Sequence, residues 1–419
     1  MGKEILALPL LLQLEKEQLL QDTLLEEDVV HLQVVFQFAS ATRRLKLLHE
    51  VYIKTKIYSG ENSLSRLEKF KNENIWIICD GFLVRSGIVK GILKFIDSSN
   101  NVSIFDKVIP DPPLTVIGSG VAIIKKINPS VVIAYGGGSA IDTAKGILYF
   151  AREQNMIDKV NFIAIPTTSG TGSEVTNATI ITDTETKIKH AIFDDSLLPD
   201  EAILDSNLTL SVPADITANT GIDVLTHALE AYVSNKANSY SDALAEKAVE
   251  LVIESLVKCY NNGKDIEARS KMHEASNLAG IAFNISGLGI NHSLAHQLGG
   301  RFKIPHGLAN GLLLTNVIDY NSQDVSTLKK YAKLLYKTGM VDKIKGDEFA
   351  VKVLKEYINS IMKIMKMPMS LKELNIGKDE FHKVKSLMAQ NALKDGCTKS
   401  NPRKVNTLEL EDLIGKIYQ

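Results

Sequence analysis

Cysteine is scarce in this chain: three in 419 residues, at Cys79, Cys259 and Cys397, with no CxxC pair. That excludes a disulfide framework and fits a reducing compartment. Net charge is nearly absent as well. Lys+Arg 48 against Asp+Glu 49 leaves −1, which argues against broad electrostatic binding of nucleic acid or an anionic membrane. No run of about 18 apolar residues occurs, so no membrane span is expected. There is no GxGxxG fingerprint of a standard Rossmann turn. Ser169 and Ser173 stand in SGTGS, not in a GxSxG nucleophile elbow, which sets a serine hydrolase aside. A signal peptide is not expected either. Only Lys3 precedes the first apolar run, Glu4 sits beside it, and no small-residue cleavage site follows. Leu6 stands where a myristoylation motif needs Ser or Thr.

What remains is the composition of an ordinary globular protein, 45% hydrophobic and 23% charged. Its length suits two or three domains of about 150 residues each. After Pro9, leucines recur at Leu10, Leu11, Leu14, Leu19, Leu20, Leu24 and Leu25, the spacing of an amphipathic helix. Further on, the continuous apolar runs 75–78, 131–135 and 162–165 alternate with helical stretches. Such runs suit parallel strands buried on both faces, and their alternation with helices predicts an α/β domain. From about Pro213 the strand signal fades, and amphipathic stretches such as 243–257 and 350–364 predict a helical second half.

Two glycine-rich segments follow the buried runs. GGGSAIDTAK, Gly136 to Lys145, comes directly after the run 131–135 and opens a helical stretch. TTSGTGSE, Thr167 to Glu174, follows the run 162–165. Glycines let the backbone approach a ligand closely, and a helix N-terminus offers free N–H groups, so the pair predicts phosphate binding. GSG at Gly118 to Gly120 lacks a preceding apolar strand and is not expected to bind. Asp80 ends the run 75–78. It fits either an acceptor for adenosine ribose hydroxyls or an ordinary Asp-Gly turn. Cys79, inside an apolar run, reads as inert packing.

Histidines cluster near the middle of the second half. His292, His296 and His306 lie within fifteen positions, where an even scatter of the nine in the chain would place about 0.3. His292 and His296 are four apart, on one helix face. Asp223 and His227 repeat that spacing upstream. Imidazole and carboxylate donors on two helices suit Zn²⁺ or Fe²⁺. Spacing alone does not say which clustered histidine is left out; helix geometry by itself favours Asp223, His227, His292 and His296.

The strings GGGSAIDTAK, IPTTSGTGSEVTNATIITD, TANTGIDVLTHALEAYVS and GLGINHSLAHQLGGRFKIPHGLAN resemble the iron-containing (group III) alcohol dehydrogenase family over residues 50 to 419. IWIICDGFL, PTTSGTGSEVT, SDALAEKA and AHQLGG look closest to the propanol dehydrogenases of propanediol-utilisation microcompartments. The resemblance implies an α/β dinucleotide-binding domain with a mostly parallel sheet (48–212) and an all-helical metal-binding domain (213–419). This is the dehydroquinate synthase-like fold, preceded here by an extension at 1–47. It implies Asp223, His227, His292 and His306 as metal ligands, with His296 near the nicotinamide and substrate as the catalytic residue. It also implies Gly136, Gly137, Gly138 and Ser139, with Asp142, as the pyrophosphate loop. Thr167, Thr168 and Thr171 then contact the nucleotide, Lys189 lies on the cofactor side, and Asp80 favours NAD over NADP.

The activity so implied is NADH-dependent reduction of a short aldehyde, propionaldehyde to 1-propanol, and the reverse oxidation. NAD(H) and Fe²⁺ are the implied cofactors, with Zn²⁺ also acceptable to the donor set. A homodimer or higher homo-oligomer in the bacterial cytoplasm, inside a microcompartment, is expected. The leucine-rich N-terminus would then dock on its shell or on a companion enzyme. It also fits a helix packed on its own domain or on a dimer partner, or a mis-assigned start. Rival readings are a zinc-dependent polyol dehydrogenase of the glycerol type, a metal-dependent hydrolase without a nucleotide, and a non-catalytic shell-associated protein.

Overall fold

The computed structural model describes residues 51–183 and 188–418, the side chains of 183–189 excepted. The amphipathic segment expected at 1–47 lies outside the described residues.

Six strands form one parallel sheet: β1 (Lys56–Ser59), β2 (Asn74–Asp80), β3 (Asn101–Val108), β4 (Val131–Gly136), β5 (Asn161–Pro166) and β8 (Glu201–Leu204). Their spatial order is β1-β8-β5-β4-β2-β3. β6 (Ala178–Asp183) and β7 (Ile188–Phe193) make a separate antiparallel hairpin. The three apolar runs read from the sequence are β2, β4 and β5, the inner strands. They are buried on both faces, and the two-residue period divides them cleanly. Trp76, Ile78, Val132, Ala134 and Phe162 enter one apolar layer. Ile75, Ile77, Val131, Ile133, Tyr135, Ile163 and Ile165 enter the other.

The helices within this half are α1 (Gly81–Arg85), α2 (Lys90–Leu93), α3 (Leu114–Ile127) and α4 (Gly138–Glu153). Gly118 and Gly120 lie inside α3, so GSG is helix, as its context implied. A Cβ on Gly120 would sit 2.3 Å from Ile147 Cδ1, so this glycine lets α3 press against α4. Cys79 is fully buried in β2, and burial pushes its thiol up to about 11.

From Ala214 onward the described chain is helical: α5 (Ala214–Val233), α6 (Ser239–Asn261), α7 (Ile266–Ser286), α8 (Ile290–Phe302), α9 (His306–Asn321), α10 (Val325–Lys337), α11 (Asp347–Ile364), α12 (Lys378–Lys394) and α13 (Thr407–Gly415). The stretches 243–257 and 350–364 fall within α6 and α11. These helices share one large apolar core. α5 runs through it and is buried along most of its length.

The strand order fixes where a ligand can sit. From β2 the chain steps to β3 on one side; β4 then returns to the other side of β2 and β5 continues outward. Open parallel sheets bind ligands at such a reversal, outside the carboxyl ends of the strands. Asp80 ends β2 and Gly136 ends β4, so both flank that crevice.

Candidate active site

Three helices bring four donors to one point. α5 supplies Asp223 and His227 one turn apart, α8 supplies His292, and α9 begins on His306. α9 can start that close to α5 because residue 307 is glycine: a Cβ there would lie 1.8 Å from the Asn219 carbonyl oxygen. Asp223 Oδ1 is 3.5 Å from His306 Nε2, 3.7 Å from His292 Nε2 and 4.0 Å from His227 Nε2. One donor atom from each of the four lies within 4.8 Å of the others. Bonds of about 2.0–2.2 Å to zinc separate tetrahedral donors by about 3.3–3.6 Å, so the spacing and the donor types fit a first-row divalent cation. The Asn310 amide nitrogen converges on the same focus, 2.7 Å from Asp223 Oδ1, 3.2 Å from His292 Nε2 and 3.3 Å from His306 Nε2. The focus is therefore electron-rich and already draws an electropositive group. Asp223, His227 and His292 are buried, while the His306 side chain is 40% exposed, which leaves an open side.

The protonation states support the same reading. Burial alone would raise Asp223, but the surrounding imidazoles outweigh it and hold the carboxyl well below its usual range. Burial pushes His227 down to about 4. Enclosure by the cluster, in spite of the open edge, lowers His306 to about 3. His292 goes the other way. Burial disfavours its charge, but the Glu230 and Asp223 carboxylates raise it to about 9.

Glu230 escaped the sequence reading. Its Oε2 lies 2.5 Å from His292 Nδ1, and its Oε1 accepts the Asn291 N–H at 2.8 Å. A carboxylate on the far nitrogen fixes which imidazole nitrogen faces a metal. The signal was present: Glu230 stands three residues past His227, on the same helix face. Asn310, one turn past His306, was missed too.

His296 is not one of the four converging donors, so the choice that helix geometry alone favours does not describe this arrangement. Its Nδ1 lies 2.8 Å from Asp395 Oδ2, while its ring stacks on His306 with centroids 5.5 Å apart. Burial would raise the Asp395 carboxyl, but the bonds from His296 and from the Cys397 backbone hold it at about 2. An ionised acceptor on Nδ1 keeps the proton there and leaves Nε2 as the exchangeable nitrogen. Asp395, remote in sequence, gave no local signal.

At the crevice, β4 ends in Gly136, with φ +151°, and α4 opens on Gly138. The second glycine segment opens no α-helix; it ends in a short 3₁₀ turn, Ser173–Val175. The two segments touch. A Cβ on Gly137 would meet Thr168 Oγ1 at 3.1 Å, and one on Gly138 would meet Thr171 Cγ2 at 2.7 Å. The Thr167 N–H donates to the Gly136 carbonyl. The Ser139 carbonyl accepts from Thr143. Asp142 braces the pair from beneath, accepting from Ser173 Oγ at 2.7 Å and from the Ile180 N–H at 3.3 Å. Asp80 caps α1 through the Phe82 N–H, 2.6 Å from Oδ1. Lys189 stands on β7 opposite Thr182, and its side chain lies outside the described residues.

The second segment also abuts the helices. A Cβ on Gly170 would lie 2.8 Å from Thr220 Cβ on α5, one turn before Asp223. A Cβ on Gly172 would lie 2.6 Å from the Gly280 Cα on α7. Ser169 Oγ is 3.0 Å from His273 Nδ1, also on α7. Candidate cofactor loop and candidate metal helices are thus in direct contact.

Comparison with known proteins agrees with this geometry. Residues 54–206 match the model "Iron-containing alcohol dehydrogenase", and residues 217–418 match "Fe-containing alcohol dehydrogenase family, C-terminal". The 1-propanol dehydrogenase PduQ of Citrobacter freundii is 45% identical over 365 residues, covering 87% of this chain and 98% of its own. The crystal structure of a 1,3-propanediol oxidoreductase superposes with a TM-score of 0.81 at 32% identity, over 89% of this chain and all of the other. A sulfoacetaldehyde reductase from Bifidobacterium kashiwanohense, solved in complex with NAD⁺, gives a TM-score of 0.78 at 26% identity, over 88% of this chain and 99% of its own. Matched along both halves, the chain belongs to the iron-containing alcohol dehydrogenase family, oxidoreductases that interconvert alcohols and aldehydes with iron and NAD(H).

Proposed function

We propose that this chain reduces propionaldehyde to 1-propanol with NADH, and catalyses the reverse oxidation. The observation that carries the substrate is the 45% identity, over nearly its full length, to a 1-propanol dehydrogenase. Asp223, His227, His292 and His306 are the proposed metal ligands, and the segments 136–139 and 167–171 are the proposed cofactor cradle. Bound in these places, Fe²⁺ supplies Lewis acidity and NADH supplies a hydride. The chain's own part is orientation and proton delivery. Glu230 holds His292 with Nε2 toward Asp223. Asp395 keeps a proton on His296 Nδ1, so Nε2 gives a proton to the product oxygen in reduction and takes one in oxidation. Asp80 is the proposed discriminator against a 2′-phosphate, using the carboxylate that also caps α1. Asp142 acts through the loops it braces, and Lys189 is the proposed lysine of the cofactor side.

NADH oxidation against a panel of aldehydes, on protein reconstituted anaerobically with Fe²⁺ or Zn²⁺, tests this reading. Propionaldehyde with Fe²⁺ should give the highest kcat/KM among short aldehydes. Preference for dihydroxyacetone with Zn²⁺ would establish the polyol reading instead.

Three proposals concern organisation. The first is the boundary between the α/β and helical domains at 212/213, between the last strand and α5; the gap between the two family matches supports it. The second is a homodimer or higher homo-oligomer, tested by sedimentation. The third is that residues 1–47 direct the enzyme to a bacterial microcompartment shell or a companion enzyme, supported by their leucines at helical spacing. Deleting them should leave activity intact and abolish co-purification with shells; unchanged co-purification overturns the idea.

A further inference from the structure

A second set of metal-type donors stands beside the four-donor cluster. His296 comes from α8; Asp395 and Cys397 come from the turn that follows α12. One donor atom from each lies within 4.8 Å of the others. His296 Nδ1 and Asp395 Oδ2 are 2.8 Å apart, and the Cys397 N–H donates to Asp395 Oδ1 at 2.9 Å. All three residues are half-buried.

We propose that His296, Asp395 and Cys397 form a second metal site, selective for a thiophilic divalent cation such as Zn²⁺, and that filling it stops turnover. The donor chemistry separates it from the first site. The four-donor cluster has one carboxylate and three imidazoles, which iron and zinc both accept. This one adds a thiolate, which favours zinc over Fe²⁺. The charges balance, with a thiolate and a carboxylate against a dication. Three protein donors leave one zinc position for water.

Binding is a proton exchange without redox change. The Cys397 S–H proton leaves to solvent as the S–Zn bond forms. The proton on His296 Nδ1 is displaced and reappears on Nε2 as that ring changes tautomer. Nε2 then holds a proton and cannot accept one, so alcohol oxidation loses its relay. In reduction, giving up the Nε2 proton would leave a zinc-bound imidazolate, because the ring no longer carries its Nδ1 proton. The loss of turnover rests on the proposed role of His296; the site itself does not.

The test uses the iron-loaded full chain. Zn²⁺ is added at a few equivalents, the protein is desalted, and both metals are counted by mass spectrometry. The expected result is iron unchanged at one per chain with one zinc added, and turnover lost at least tenfold until a mild chelator restores it. Cys397→Ser should take up at least tenfold less zinc and keep its turnover in the presence of zinc. Cd²⁺ offers a readout independent of activity: a thiolate-to-metal ultraviolet band in the wild type that is absent from Cys397→Ser. The other two cysteines are fully buried in apolar cores and cannot supply that band. Zinc entering only as iron leaves, or an unchanged cadmium band in Cys397→Ser, overturns the site. An added zinc and a cadmium band with unaltered turnover would keep the metal site and refute the relay.

Discussion

Replacing Gly307 with alanine puts the metal cluster to its hardest test. The residue follows His306 in the first turn of α9. A Cβ there would lie 1.8 Å from the Asn219 carbonyl oxygen and 2.5 Å from its carbon, both backbone atoms of α5. Neither can swing aside as a flexible side chain would. To reach even a tight contact near 3.0 Å, the two helices must part by about 1.2 Å, and ordinary contact needs more. His306 is the adjacent residue, and its Nε2 now sits 3.5 Å from Asp223 Oδ1. Metal–ligand distances tolerate about ±0.2 Å, so a shift of this size removes His306 from the coordination shell.

Overpacking costs about 1–3 kcal/mol, and alanine returns up to about 1 kcal/mol through helix propensity, so the net loss of stability should be about 0–3 kcal/mol. The folded protein should therefore persist with NADH binding intact, while metal affinity and turnover fall at least 10²-fold. Gly118→Ala is the matched control: also helical, with open space where its Cβ would go, and expected to gain stability without functional change. Chelator competition, thermal unfolding and NADH fluorescence measure the three quantities. If Gly307→Ala keeps a full metal complement and turns over within threefold of wild type, the close approach of α9 to α5 does not hold the site.

His306→Ala should lose metal and keep NADH binding, whereas His296→Ala should keep metal and lose turnover by about 10²–10⁴-fold; the opposite pattern in metal analysis would reinstate His296 as a ligand. Asp80→Gly should improve kcat/KM for NADPH relative to NADH about tenfold or more, by removing repulsion of a 2′-phosphate. Glycine caps a helix within a few tenths of a kcal/mol of aspartate, so an altered ratio cannot be blamed on lost capping. In the metal-free protein the His292 proton, held up to about pH 9, competes with the cation, whereas His227 is already neutral at pH 7. Zn²⁺ affinity should therefore rise about tenfold per pH unit from 7 to 9 and then level off. Glu230→Gln should flatten that rise and bind about 10–100-fold more weakly above pH 9; an undiminished slope would show that Glu230 does not control the His292 proton.

How legible each part was depended on how local its physics is. β2, β4 and β5 announced themselves because a strand buried on both faces must be apolar throughout. β1 and β3 lie at the sheet edges and carry polar residues outward, so KIYS and NVSIFDKV gave no run to notice. β6 and β7 form a two-stranded hairpin outside the main sheet, and β8 is four residues long. The proposed ligands Asp223 and His227 were visible as a pair four apart on α5, and His292 in the pair it makes with His296 on α8. The distinction between His296 and His306 was not visible in that spacing, because it depends on where α9 begins relative to α5. That start is set by Pro305, Gly307 and a backbone contact 88 positions away in the chain. Glu230 and Asn310 sat in view on the faces already chosen and were passed over because they bind ligands, not metal. Asp395 is brought to His296 only by the packing of α12 and its following turn, which no local pattern encodes.

The same packing explains why glycine marks so much of this site. Hydride transfer needs the nicotinamide and the carbonyl within a few tenths of an ångström of one productive geometry, yet their binding groups come from different halves of the chain. A cofactor loop attached to the helices only through long side chains would leave that geometry soft. Here backbone meets backbone at Gly172 on Gly280 and at Gly307 on Asn219, and Gly170 lies against the stiff Cβ branch of Thr220. Each contact replaces a flexible side chain with a distance that cannot shorten. α5 takes part in two of the three, and it carries Asp223, His227 and Glu230 in the turns that follow. The helix that supplies half of the proposed ligands is therefore also the one against which the cofactor loop and the His306 helix are both gauged. These contacts block any movement of α5 toward its neighbours, so the proposed ligands Asp223 and His227 cannot draw closer to the candidate cofactor loop or to the start of α9.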